Sequence, residues 1–408
     1  MQSLFRPRRF ANVCRTLFAL TAFTSLVVQA GTLEQSKRLH DRIAGVPADI
    51  STLTQMQGLL DSGDTRAAAA IAMQHPAFYS VTLKQLVTPW TNEEFDVFAP
   101  LNDYTATVIG VVRDDRDFRE ILTADLLYIA ASNYNVPAYS PSNNAHYLAL
   151  EEQGIDLAQA LVATTQSSHS DLPSEATAGV MTTRQGARAF FKDGTNRAML
   201  RFTLMNHLCT DLEGLKDTSL PPDRIRQDLS RSPGGDSRIF INSCVGCHSG
   251  MDPLAQAFAY YEYDYDINND PEGENGQISY NQNGETDAQT GLRVQAKYWI
   301  NANNFPFGFI TEDDRWDNYW RAGINQTLGW SDTLVGFGYG AKSMGEELAN
   351  SHAFAQCQVK KVFKNVCLRD PQDAADRAAI NTITADFKSD GYQLKQLFAA
   401  TAEYCMGE

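Results

Sequence analysis

Apolar side chains return every three or four residues through much of this chain, and polar stretches rich in Gly, Pro, Asn and Ser separate the repeats. That period is the signature of helices with one buried face. Residues 31 to about 150 read as helical. In "DSGDTRAAAAIAMQHP" Asp64 is the expected N-cap, the alanine-rich run is the helix, and Pro76 ends it. "EEFDVFAPLNDYTATVIGVV" and "DFREILTADLLYIAA" carry the same spacing and are expected to be helical. "TTQSSHSDLPSEATAG" lacks periodicity and reads as loop, and "GARAFFKDGTNRAMLRFTLMNHLC" returns to helix before the breaker-rich "LPPDRIRQDLSRSPGGD". Tyr265 to about Phe309 is polar, aromatic and rich in Asn and Gly, which predicts loops with a short hairpin around "NQNGETD". Helices resume from Ser343, in "SMGEELANSHAFAQCQVKKVFKNVC" and "GYQLKQLFAATAEYC".

The expected fold is therefore mainly α: multi-helical domains around a central cysteine-bearing segment, with a loop-rich insertion holding a short β-hairpin. The expected divisions are a leader over 1–30, a helical domain over 31–210, the central segment over 211–342 and a C-terminal helical domain over 343–408.

The first thirty residues change the picture of where the protein works. A short basic stretch with Arg6, Arg8, Arg9 and Arg15 precedes the apolar run "TLFALTAFTSLVV", and Val28 and Ala30 offer small residues for cleavage before Gly31. The run is well short of the roughly 20 residues a membrane span needs. A cleaved secretory leader and a periplasmic location are expected, with no transmembrane segment in the mature chain. Cleavage removes four arginines and no acids, leaving 30 basic against 49 acidic residues. A surface this acidic repels nucleic acid. Cys14 leaves with the leader. Of the six cysteines that remain, Cys209, Cys357, Cys367 and Cys405 are candidates for two disulfides in an oxidising compartment, with three pairings open.

The other two cysteines stand in "CVGCH". Thioether attachment of a haem needs two cysteines three positions apart with a histidine directly after the second, so Cys244 and Cys247 are candidate attachment points and His248 the candidate proximal iron ligand. With seven Cys and seven His in 408 residues, chance yields about 0.002 such pentapeptides. A zinc site would need a second Cys/His cluster, and a thioredoxin-like motif would need a preceding strand in a βαβ context; neither pattern is present.

"CVGCHSGMDPLAQAFAYYEYD" resembles the central motif of the planctomycete-type cytochrome-c-like exported haem proteins, in which the cysteine motif is followed by Asp-Pro-Leu and an aromatic, acidic segment. "ILTADLLYIAASNYNV", "AGVMTTRQGARAF" and "LCTDLEGLKDTSLPPDRI" upstream, and "ELANSHAFAQCQVKKVFKNVCLRD" with "FKSDGYQLKQLFAATAEYC" downstream, are similar to its helical flanks. The resemblance implies covalent haem on Cys244, Cys247 and His248, with Asp252 and Pro253 in the turn behind them.

The sixth iron position separates a carrier from a catalyst. Met251 lies too close to His248 to leave the proximal side. Met344, in the glycine-bearing "FGYGAKSMGEE", is the distal candidate, with His207 and His352 as rivals. Tyr260, Tyr261, Tyr263 and Tyr265 either line the haem edge or build an aromatic core. Asp264, Asp266, Asn268 and Asp270 alternate as calcium ligands do, but Asn269 stands where the turn glycine belongs and the twelfth-position glutamate is missing. "GFGYGAKS" lacks the glycine a phosphate loop needs before Lys342. The expected function is periplasmic single-haem electron transfer with a soluble or membrane-attached redox protein partner. The alternatives are a haem enzyme with an open distal site acting on peroxide or another small oxidant, and a structural or docking protein.

Overall fold

The computed structural model describes residues 31–301, 303 and 305–406; the leader expected over 1–30 lies outside them. The described residues are 53% helix and 6% strand, which makes the fold mainly α as its periodicity predicts. Three helices open it, Thr32–Ala44, Ile50–Asp61 and Thr65–Met73. Asp64 caps the third as expected, its carboxylate accepting the Ala67 N–H at 3.0 Å.

Two stretches depart from their apolar spacing. Over residues 93–112 the helix begins only at Asp103, after Pro100, with Asn102 as its cap, and it is buried from Asp103 to Val112 on every side. Over 117–131 the chain makes a 3-10 turn at Phe118–Leu122 and then a strand, Leu127–Ala130. That strand pairs antiparallel with Leu161–Thr164. A short apolar run such as "LLYIA" satisfies a buried helix and a buried strand equally; the available partner chose the strand. The hairpin also lies upstream of its expected place. Tyr261–Asp264 pairs with Gln277–Tyr280 and the pairing ends before "NQNGETD". A third two-stranded sheet joins Arg315–Asp317 to Phe337–Tyr339. Helices then run to the C-terminal end: Gly340–Ala349, His352–Cys367, Ala374–Ser389 and Leu394–Cys405.

The segments 31–210, 211–342 and 343–408 all contribute to one large buried apolar core. Phe398 of the last helix meets Phe78 edge-on at 5.1 Å, and Arg66 of the third helix pairs with Glu403 at 2.7 Å. Cys209 bonds Cys357 and Cys367 bonds Cys405, so the two disulfides select one of the three possible pairings. The first spans 148 residues and ties the middle of the chain to its C-terminal helices. No helix among the described residues is long and apolar enough to cross a membrane.

Closing a loop of that length removes much of the unfolded chain's freedom. The double variant Cys209→Ser, Cys357→Ser is expected to lose about 3–5 kcal/mol of stability, read from the urea midpoint of unfolding.

Candidate functional site

"CVGCH" sits where a π-helical turn, Phe240–Cys244, runs into the helix Val245–Ala255. The two sides of this helix differ sharply. On the inner side its glycines allow close packing: a Cβ on Gly250 would stand 2.0 Å from Trp320 Nε1, and one on Gly246 would stand 2.7 Å from Lys216 Cγ. Trp320 itself is fully buried, which leaves it little room to yield. On the outer side Ile239 is 46% and Ile241 62% exposed, and Cys244, Val245, Cys247 and His248 are half-buried. Two sulfurs and an imidazole are thus part-exposed at the start of the helix, just after two exposed isoleucines.

Cys244 and Cys247 are both free, although the chain pairs its other four cysteines among the described residues. Burial pushes the Cys247 thiol up, which disfavours the thiolate a redox or nucleophilic cysteine needs.

His248 is held by one strong contact. Its Nδ1 lies 2.9 Å from Oδ1 of Asp252, one helical turn on. Burial opposes charge on Asp252, but the Arg197 guanidinium and the His248 ring outweigh it and hold the carboxyl well below the usual carboxylate range. An ionised carboxylate only accepts hydrogen bonds, so Nδ1 carries the proton of this bond and Nε2 is the nitrogen turned away from it. That is the orientation of an imidazole able to bind a metal through Nε2, with a carboxylate behind it.

Asp252 in turn is fixed from three directions. Arg197 donates Nε to Oδ1 at 2.7 Å and Nη2 to Oδ2 at 2.9 Å, and the backbone N–H of Arg226 reaches Oδ2 at 3.0 Å. Arg197 also grips Asp228 with two bonds of 2.9 and 2.8 Å, and Thr195 at 2.6 Å. Asn196 positions Arg197: it adopts φ +61°, which Asn tolerates, and its amide donates to the carbonyls of Phe258 at 2.9 Å and Tyr261 at 3.0 Å. The chain "KDGTN" therefore breaks the expected continuous helix over 186–209 into Arg184–Phe190 and Arg197–Thr203.

The structure brings Cys244, Cys247 and His248 together and draws in residues the sequence reading missed as site components. Asp252 and Pro253 lie inside the helix and not in a turn behind it. The i,i+4 spacing of His248 and Asp252 was the available signal; Arg197, Asp228 and Arg226 carry none, being brought in by tertiary contacts.

Of the distal candidates, Met344 and His207 are buried and His352 is half-buried. Met344 is fully buried in the core, on the helix Gly340–Ala349 whose Gly345 presses against the Leu122 carbonyl and Met181. His207 is buried with Nε2 at 2.9 Å from the Tyr104 hydroxyl and its ring edge-on to Trp90; burial and nearby Lys361 push it well below the usual histidine range. His352 begins the helix His352–Cys367, packed against Gly329. Met251 is buried on the motif helix.

Tyr261 and Tyr263 belong to the aromatic core and its sheet, Tyr261 stacking on Phe191 at 5.6 Å, while Tyr260 lies under Arg293. In the acidic loop, Asp266 accepts the Asn268 and Asn269 backbone N–H groups and Asp270 those of Glu274 and Asn275, so both carboxylates cap their own turns. No cluster of three or more His, Cys, Asp or Glu among the described residues is placed to hold a metal ion.

Comparison with protein-family models, curated proteins and solved structures finds no match to this chain.

Breaking a buried ion-pair network by removing one partner costs about 3–5 kcal/mol, so Arg197→Met is expected to destabilise the protein by that amount at pH 7 in urea unfolding. Burial opposes the charge on Asp228, yet Arg226 and Arg197 hold its carboxyl below the usual range. Its contribution is therefore present above the unfolded value of about 3.9 and is lost as the pH falls through the lower folded value. The gap between wild type and variant should narrow below about pH 4. Gly250→Ala, which drives a methyl into Trp320, should lower the thermal midpoint and quench or shift tryptophan fluorescence.

Proposed function

We propose that this chain is a periplasmic c-type haem protein, with haem joined to Cys244 and Cys247 and its iron bound by His248, and that it passes single electrons to a protein partner. The observation that carries the reading is that these two cysteines stay free and part-exposed, beside an imidazole whose Nδ1 is held by a carboxylate so that Nε2 faces away from it. The two disulfides elsewhere agree with an oxidising compartment, where haem attachment to thiols takes place. The likeness to planctomycete-type exported haem proteins points the same way.

When bound, a haem supplies a one-electron iron couple whose potential the polypeptide sets. The chain's own residues do the setting. Asp252 keeps the proton on Nδ1, fixes the ring plane and makes Nε2 a stronger donor, which favours the oxidised metal and lowers the potential. Arg197 shares the Asp252 carboxylate with His248 and so limits that push. Gly246 and Gly250 seat the helix against Lys216, Thr218 and Trp320, so the imidazole sits on a rigid base.

One observation favours a second reading, a haem enzyme whose sixth position is open to a small oxidant. Met344 and His207, two of the candidates for that position, are enclosed in the core.

Protein made in a strain that matures cytochromes should be coloured, and its haem should survive denaturing electrophoresis. The variant Cys244→Ala, Cys247→Ala should lose that covalent haem entirely. A colourless wild-type protein from such a strain would sink both readings. Cyanide and carbon monoxide separate them: a capped iron resists both ligands, and an open one shifts its absorption bands at once.

A further inference from the structure

We infer that Arg231 and Arg226 form a buried receptor for a carboxylate, and that the carboxylate is a propionate of the haem proposed above, on which this inference rests. Two guanidinium groups beside the motif helix have donors with nothing to donate to. Arg226 is fully buried, with Nη2 bonded to the Thr195 carbonyl at 2.9 Å and its hydroxyl at 3.1 Å, and at 3.4 Å from Oδ2 of Asp228. Arg231 lies between the rings of Phe240 at 4.4 Å and Phe305 at 4.0 Å, with Nη2 on the carbonyls of Ile225 at 3.0 Å and Arg226 at 3.3 Å. In both side chains Nε and Nη1 are shut off from solvent without an acceptor, and the Tyr298 ring covers Arg226 at 4.5 Å. Buried charged donors are almost always satisfied, because leaving them bare forfeits their hydration with no return.

The charges agree. Arg231 shares its surroundings with Asp252, Arg197 and Asp228. With Arg226 included, three guanidinium groups, two of them half-buried, face two carboxylates in this cluster, a positive excess within a chain of net charge −15. An anion balances it.

Position and setting select the kind of anion. Phe240, against which Arg231 stacks, lies one helical turn before Cys244, and the Arg226 backbone N–H caps the carboxylate that holds His248. The receptor is thus tied to both working parts of the motif. The neighbouring apolar side chains Ile239, Ile241 and, beside Phe305, the 91% exposed Phe307 suit an anion carried on a large apolar body. A tetrapyrrole with propionate arms has that character. Guanidinium groups meet carboxylates in short charge-assisted hydrogen bonds.

The test uses full-length holoprotein and the variants Arg231→Leu and Arg231→Lys, read by resonance Raman spectroscopy and redox titration. Both variants should keep covalent haem. Arg231→Leu should shift the propionate bending bands and lower the midpoint potential, because a positive charge near the iron is gone. Arg231→Lys, which keeps the charge and loses most of the donors, should shift the bands with the potential largely restored, and it stands in if the leucine variant does not fold. Haem present with propionate bands unmoved in the folded variants overturns the receptor and leaves the haem reading intact. A wild type without haem overturns the haem reading and this inference with it. Acetate added to wild type is the arm for a free carboxylate: bands that shift with acetate in wild type and not in Arg231→Leu would mean the receptor is open to small anions, which overturns the propionate assignment.

Discussion

The Asp252 carboxylate is the point on which the site turns. Shut away from water, it keeps its charge only because Arg197 and the Arg226 N–H surround it. The same charge orients the His248 ring. Remove the carboxylate and the imidazole loses its orientation while Arg197 loses two of its five hydrogen bonds. Burying such a network is expensive and adds little net stability compared with an apolar packing of equal volume. Its value lies in geometry: a ring on a helix surface is held with its free nitrogen facing outward.

The surrounding fold serves this arrangement through close packing on one side of the motif helix and openness on the other. Small residues at 246 and 250 let Lys216 and Trp320 approach the backbone, so the inner face is rigid. Just before the motif, Ile239 and Ile241 are exposed. A flat apolar ligand joined to Cys244 and Cys247 would bury them. The size of the protein around one such helix has a structural reason as well. Arg197 reaches the site from one part of the chain and Arg226 with Asp228 from another, and the core must hold those parts in register.

Much of the fold was legible in the chain. The three- and four-residue spacing of apolar positions marked the helices, and Asp64 marked a helix start, because both depend on neighbours within one or two turns. Legibility failed where local pattern was ambiguous. "LLYIA" became a strand because Leu161–Thr164 was there to pair with it. The segment 93–112 began its helix late because Pro100 and Asn102 overrode the apolar spacing that precedes them.

By itself the sequence determined the mainly helical class and the grouping of two thiols and an imidazole in "CVGCH", since three-residue spacing places those groups on adjacent turns whatever the rest of the chain does. Tertiary structure alone decided that Cys209 meets Cys357 and Cys367 meets Cys405, that Met344 and His207 are enclosed in the core, and that Arg197 and Arg226 converge on Asp252. Those outcomes join residues tens of positions apart. They arise from the packing of the whole core, a sum over many weak contacts that no short window of residues contains.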